Sequence, residues 1–273
     1  MKDRECMDFL QWCLPKLDLR WKGFRKVRKQ VCKRVQRRYQ QLNLPDSGSY
    51  RDYLDANPDE WHILDSLCYI TVSRFYRNKK VFENIREVIF PELIRKLDKE
   101  NHKNINAWSA GCCSGEEPYT LKLIWEQDIQ PETSGVVNLF ILATDIKKFL
   151  LNRARDGIFP GGSLKHLPEK HVRNGFIKMN NEFKIKERYK KNIRFEKQDI
   201  RKEIPEGPFH MIFCRNLVFT YFEKNLQQKI LQSITNKLLP GSYLIIGSHE
   251  SLPAIPKELE PYPDDQNIFV RKG

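Results

Sequence analysis

Metal-ligand spacing is missing from this chain. Its six histidines form no HxxxH or HExxH pair, so no metal site is expected. CxxC spacing is missing too. The seven cysteines (Cys6, Cys13, Cys32, Cys68, Cys112, Cys113 and Cys214) are odd in number and irregularly placed, which reads as reduced thiols in a cytoplasm. No apolar run approaches the ~20 residues that cross a bilayer. The charged start Met1-Lys2-Asp3-Arg4-Glu5-Cys6 lacks a signal-peptide core, so neither membrane insertion nor export is expected. Repeats and low-complexity tracts are absent. What is present suits one large or two modest globular domains: 273 residues, 40% hydrophobic and 11% aromatic. The net charge of +13 admits nucleic acid, an anionic membrane or an acidic protein as partner, and does not choose between them.

Glycine is scarce before about residue 78, and apolar residues there recur at helical spacing. Phe24, Val27, Val31, Val35 and Leu42 make one stripe of a helix that should end at the breaker cluster Asn43-Leu44-Pro45-Asp46. Its other face carries Arg25, Lys26, Arg28, Lys29, Lys33, Arg34, Arg37 and Arg38. Further helices are expected from near Ser49 and after Pro58-Asp59. Residues 1–78 thus read as an all-α N-terminal domain. Residues 79–273 alternate differently. A helix over Val81–Leu97 is followed by apolar strands at Ile105–Ala110, Val137–Thr144, Met211–Cys214 and Tyr243–Ser248. Helical stretches separate them at Glu117–Glu126, Ile146–Asp156 and Asn225–Leu239. That rhythm predicts an α/β domain with a mostly parallel sheet covered on both faces. Two alternating strands about Asn180-Asn181, followed by Ile193–Phe195, read as a small antiparallel β-insert over about 172–195.

In a doubly wound sheet, ligands sit at the carboxyl ends of the strands, where the strand order switches. Four sequence points fall at such ends. Gly111 and Gly115, in Trp108-Ser109-Ala110-Gly111-Cys112-Cys113-Ser114-Gly115-Glu116-Glu117-Pro118-Tyr119, would remove side chains where a ligand approaches; the alternative is a tight strand-to-helix turn with no ligand. Asp145 closes the second strand roughly thirty residues on, where an acid can hold ribose hydroxyls or cap a helix. Asp199, near Ile200, could accept from an adenine amine or stand in a solvated loop. Arg215 and Asn216 leave the apolar strand Ile212–Cys214 either into the cleft or into a salt bridge. Cys214 lies inside that strand and reads as a packed thiol rather than a nucleophile. Together the four points describe a Rossmann-like class I S-adenosylmethionine-dependent methyltransferase sheet.

At the level of motifs the chain resembles the chemoreceptor glutamate methyltransferases, the CheR family, from about Phe9 to Arg271. The discriminating matches are Thr71-Val72-Ser73-Arg74-Phe75-Tyr76-Arg77 and Ile212-Phe213-Cys214-Arg215-Asn216 with Tyr221-Phe222. The glycine motif, Ala143-Thr144-Asp145-Ile146, Leu239-Pro240-Gly241-Ser242 and Gly247-Ser248-His249-Glu250 match as well. The resemblance implies methyl transfer from S-adenosylmethionine to receptor glutamates, leaving S-adenosylhomocysteine. It implies that Thr71, Ser73 and Arg77 approach the methionine end and that Glu117 binds the amino group. Asp145 would hold the ribose, and Asp199 with Ile200 the adenine. Arg215 and Asn216 would line the cleft with Gly111, and Arg77 and Tyr221 would orient the substrate carboxylate. The expected partner is the acidic helical region of a methyl-accepting chemoreceptor, met by the basic helix of a cytoplasmic monomer. Three departures stand out. The family often has asparagine where Thr71 and Asp199 stand. The middle pair of its Gly-His-Ser-Glu is exchanged here. The short Asn180-Asn181 turn argues against a peptide-tethering insert. Two rival readings are an RNA methyltransferase using the basic helix on phosphates and a signalling adaptor without activity. The first is opposed by Cys214-Arg215-Asn216-Leu217, which stands where amino-directed enzymes place Asn/Asp-Pro-Pro-Tyr/Phe, and by the lack of an aromatic RNA platform.

Overall fold

A computed structural model describes residues 1–133 and 137–273. The chain divides into two units, Met1–Thr71 with Thr220–Gln227 and Val72–Phe219 with Gln228–Gly273.

The first unit is helical: α1 (Asp3–Cys13), α2 (Trp21–Phe24), α3 (Arg28–Gln41), α4 (Ser47–Ala56) and α5 (Glu60–Cys68). Each helix of two or more turns buries one stripe, as helical spacing requires. The stripes are Cys6, Phe9, Leu10 and Cys13 on α1, and Val31, Cys32, Val35 and Tyr39 on α3. Asp46 starts α4 by accepting the Ser49 N–H at 2.8 Å. The single helix expected from Phe24 to Leu42 is broken. Phe24 ends α2, and a turn separates it from α3, which begins at Arg28. The stripe survives such a break because a turn can keep apolar residues on the same side. A second correction concerns the thiols. Cys6 and Cys32 form a disulfide, with Cα atoms 5.8 Å apart, while Cys13, Cys68, Cys112, Cys113 and Cys214 are free. The two partners sit on facing buried stripes of α1 and α3, a packing relation that spacing along the chain does not reveal.

The second unit begins with α6 (Lys79–Asn84), one π-helical turn at Ile85–Ile89 and α7 (Phe90–Lys99). Then come β1 (Asn104–Ala110), α8 (Glu116–Ile124), β2 (Asn138–Asp145) and α9 (Lys148–Asp156). After β3 (Ile158–Pro160) follow α10 (Glu169–Gly175), β4 (Phe176–Met179), β5 (Glu182–Ile185), β6 (Ile193–Lys197) and β7 (Phe209–Cys214). The helices α11 (Val218–Tyr221) and α12 (Lys224–Lys237), whose residues Thr220–Gln227 belong to the first unit, precede β8 (Leu238–Ile246), β9 (Leu259–Tyr262) and β10 (Asp265–Arg271). The main sheet has the order β6-β2-β1-β7-β8-β10-β9, parallel except where β10 pairs with β8 and β9. One face of β1, β2, β7 and β8 presents Ile105, Ala107, Leu139, Ile141, Met211, Phe213 and Ile245 to a core that includes Phe90, Leu93, Tyr119 and Leu123. All six residues of β7 are buried, as a central parallel strand requires.

The insert differs from expectation. Its sheet is β3-β5-β4, with Ile158–Pro160 as the third strand. Ile193–Lys197 instead pairs parallel with β2 as the edge of the main sheet. Alternation marks a half-buried strand of either kind, and only the pairing partner tells them apart.

Candidate active site

Strand order reverses between β1 and β7, so the carboxyl ends of β1, β2, β6, β7 and β8 share one edge with the switch point in it. The structure gathers Gly111–Glu117, Asp145, Asp199, Ile200, Arg215, Asn216 and Gly247–Glu250 at that edge, Asp145 as the last residue of β2 and the others after their strands. Thr71 and Tyr221 belong to the helical unit. There the Tyr221 ring lies 5.2 Å from Phe24, and its carbonyl accepts the Arg20 N–H at 2.8 Å.

The turn after β1 is built by left-handed backbone. Gly111 (φ 73°), Cys113 (φ 54°) and Gly115 (φ 90°) alternate with ordinary residues. The Gly111 and Cys112 N–H groups bond the Thr144 carbonyl at 2.8 and 2.9 Å, tying the turn to the end of β2. A Cβ on Gly111 would come within 2.7 Å of Leu217, and one on Gly115 within 2.9 Å of Ala154. Both glycines are therefore required by conformation, and Gly115 by space as well.

Asp145 receives the Cys113 N–H and the Lys147 N–H, each at 2.9 Å, one on each carboxylate oxygen. Burial raises its pKa, with those N–H groups and Lys147 pulling the other way. A second lone pair on each oxygen remains for a diol. At Asp199, burial alone would raise the pKa. The two-point fork of Arg201, with both contacts at 2.9 Å, outweighs it and holds the carboxyl below its usual value. Ile200 is buried beside it.

Glu117 is the centre of a network. Its Oε1 accepts from Ser109 Oγ at 2.7 Å and its Oε2 from Arg215 at 2.7 Å. Arg215, 7% exposed, also donates to the Arg77 carbonyl at 2.6 Å and lies 5.1 Å over the Phe82 ring. The salt-bridge alternative for Arg215 is thus the one seen, and its partner is itself a predicted site residue. The Arg77 guanidinium donates to the Val72 carbonyl at 3.1 Å. Ser109 and Phe82 carry no sequence signal of their own: one is a strand serine and the other an apolar helix residue.

The fifth strand end adds a support. Glu250 Oε2 accepts the Asn216 N–H at 2.8 Å and the Gly247 N–H at 2.6 Å. That holds Asn216 in its left-handed conformation (φ 55°). A Cβ on Gly247 would collide with both Asn216 and Glu250. Ser248 accepts from Asn78 Nδ2 at 2.9 Å, while His249 is exposed. The exchanged pair therefore leaves the serine and the glutamate with the structural work. Cys214 and Cys112 are fully buried, and burial pushes their thiols well above the usual value, so neither is a ready nucleophile. Among the described residues, no cluster of His, Cys, Asp and Glu could hold a metal ion.

The donor set decides which cofactor fits. Glu117 and Asp145 are acceptors, and Arg215 and Arg201 at this edge are each paired with a carboxylate. Such an edge repels phosphate and suits a ribose diol next to a cationic amino acid. A sheet of this order carrying those groups defines the S-adenosylmethionine-dependent methyltransferases of the Rossmann-like class. Within that class, residues 71–268 match the family described as CheR methyltransferase, SAM binding domain, and the chain belongs to that family. It is similar to a chemotaxis protein methyltransferase of Borreliella burgdorferi, 31% identical over 209 residues covering 74% of this chain and 73% of the relative. The similarity to that of Listeria innocua is 32% over 187 residues, 68% of each chain. The solved N-methyltransferase NodS of Bradyrhizobium japonicum, in complex with S-adenosyl-l-homocysteine, matches at 14% identity and a TM-score of 0.31, covering 60% of this chain and 61% of that one. Strand order and the family match, rather than that superposition, carry the fold assignment.

Proposed function

We propose that this chemotaxis methyltransferase esterifies glutamate side chains in the acidic helices of a chemoreceptor. The observation that carries the reading is the Ser109–Glu117–Arg215–Arg77 network at the switch point. A carboxylate linked through Arg215 to the arginine segment supports a role for Glu117 in binding the cofactor's amino group. S-adenosylmethionine supplies a methyl group activated on a sulfonium when bound. Glu117, Asp145, Asp199, Ile200, Thr71 and Ser73 are the residues proposed to hold it. A glutamate carboxylate is ionised at pH 7, given a reference pKa of about 4.3, so no general base is needed. The carboxylate oxygen bonds the methyl carbon as the carbon–sulfur bond breaks. The chain's task is alignment and partial desolvation, which we assign to Arg77 and Tyr221.

In this reading residues 1–78 recognise the receptor, residues 79–273 perform the transfer, and the setting is the cytoplasm. The basic face supports it in reduced form. Arg28 is paired with Asp3, Arg34 donates to the Leu67 and Tyr69 carbonyls, and Arg38 grips the buried Glu60. Those three arginines build the helical unit. Arg25, Lys26, Lys29, Lys33 and Arg37 are exposed, with no ion pair to them among the described residues, and remain to steer an acidic helix. The test is tritiated-methyl transfer to receptor-bearing membranes and to RNA. Base-labile label on the receptor is expected, and base-stable label on RNA would overturn the proposal.

A further inference from the structure

The β-insert has no part in the proposed chemistry, and its three strands form a sheet separate from the main one. Strands of three or four residues cannot make a core of their own. The insert instead packs Phe159, Leu164, Phe176 and Ile185 into the core of the second unit. Phe75 lies in that same core, two positions after Ser73 and two before Arg77.

Phe75 is fully buried, and the insert holds both its side chain and its backbone. Its ring meets Phe159 of β3 edge-on at 4.8 Å and 83°, and Phe176 of β4 at 5.4 Å and 86°. Those two rings are themselves 6.4 Å apart at 80°. The Phe75 N–H donates to the Ser163 carbonyl at 3.0 Å, in the short turn after β3. The flanking residues follow. The Arg74 guanidinium lies 3.4 Å from His166 Nε2, and the Tyr76 ring lies 6.2 Å from that of His171 on α10. All five partners come from residues 158–176.

The segment needs such support. Ser73–Arg77 has no helix or strand of its own, and Tyr76 stands in the left-handed region at φ 55°. A tyrosine stays there only where its surroundings hold it. On the downstream side, Thr120 Oγ1 accepts the Tyr76 N–H at 3.2 Å, and Arg215 donates to the Arg77 carbonyl at 2.6 Å. On the upstream side the hold is the insert's. Three rings set nearly at right angles fix an orientation that an aliphatic side chain of similar bulk would leave free.

We infer that Phe75 is a positioning residue and the insert its socket: the Phe75–Phe159–Phe176 cluster fixes the Ser73–Arg77 segment and so presets Ser73 and Arg77 for the methionine end of the cofactor. The inference rests on the reading of those two residues as cofactor ligands.

The test is isothermal titration of the full chain with S-adenosylhomocysteine, alongside hydrogen exchange at the Phe75 and Tyr76 amides. Phe75→Leu and, on the insert, Phe176→Leu should each weaken binding at least ~10-fold and speed exchange at both amides, since a small misplacement of a binding group is costly. The two rings form one lock, so the double variant should bind within about twofold of the weaker single variant. Phe90→Leu separates positioning from general core packing. Phe90 is equally buried in the same core, with its ring 5.2 Å from Trp125, and its loss should leave affinity within about twofold of the parent. Parental affinity in Phe176→Leu, an equal loss in Phe90→Leu, or losses that multiply in the double variant would each overturn the inference. Should Phe75→Leu fail to fold, Phe176→Leu and Phe90→Leu decide alone. A parent chain that binds no S-adenosylhomocysteine would sink the cofactor assignment instead. The docking would then stand or fall on the exchange rates, and unchanged exchange in Phe176→Leu would overturn it.

Discussion

Replacing Arg215 with methionine tests the centre of the site. The guanidinium side chain is 3% exposed and its Glu117 partner 14% exposed, with 2.7 Å between them. Taking away one member of such a pair leaves a buried charge uncompensated, which costs roughly 3–5 kcal/mol. Glu117 retains the Ser109 hydroxyl and some solvent, so Arg215→Met should destabilise by about 3 kcal/mol, at the low end of that range. Glu117→Gln strands Arg215, which keeps the Arg77 carbonyl and the Phe82 face, and should cost a similar amount. The double variant buries no charge at this point. Its loss should therefore fall below that of either single variant, to about 1 kcal/mol or less, far from the roughly 6 kcal/mol that additive losses would give. Urea denaturation at pH 7 measures each corner of the cycle, with the fully buried Trp108 and Trp125 reporting on this unit through fluorescence. Losses that add to within about 0.5 kcal/mol would refute the view of Arg215 and Glu117 as one buried, mutually dependent pair.

Four further outcomes are expected. Arg77→Ala leaves the backbone carbonyl that Arg215 uses, so the unit should stay folded while methyl transfer falls at least ~100-fold; near-parental turnover would remove Arg77 from the chemistry. Reversing Lys29, Lys33 and Arg37 to glutamate should slow receptor methylation most at low salt and leave S-adenosylhomocysteine affinity unchanged, whereas unaltered methylation at low salt would make that face a solubilising surface. Burial and the nearby Lys96 depress the His210 pKa to about 4, and its Nδ1 accepts the Asn106 N–H at 3.1 Å. The folded state thus favours the neutral ring; the stability this confers is present above pH 6.5 and is lost as pH falls toward 4, by up to about 3 kcal/mol. Urea midpoints taken from pH 7 to 4 should show that slope in the parent and much less of it in His210→Gln. Thiol titration of denatured, unreduced protein should count the five free cysteines, and a count of seven would restore the fully reduced reading.

Much of the fold was legible because periodicity is a local property. The β1, β2 and β7 strands and the α8, α9 and α12 helices lie within a few residues of where the apolar pattern puts them. The miscast segments fail for one reason. Ile193–Phe195 alternates as either kind of strand, and its neighbour turned out to be β2 rather than the hairpin. Strand β9, Leu259–Tyr262, carries Pro261 and an exposed Glu260, and as an edge strand paired only with β10 it needs no apolar run.

At the site, the sequence by itself supplied the residue types and their order: two left-handed glycines, an acid closing β2, and an arginine and asparagine leaving β7. Those follow from local geometry, because each must stand where a strand ends. Who pairs with whom is a matter of three-dimensional distance. Tertiary structure decided that Arg215 is neutralised by Glu117, that Asp199 is gripped by Arg201, and that Glu250 pins Asn216. It also decided that three of the eight basic residues hold the helical unit together and that Cys6 meets Cys32. A buried charge must find its opposite within a few ångströms, and no spacing along a chain records which one that will be.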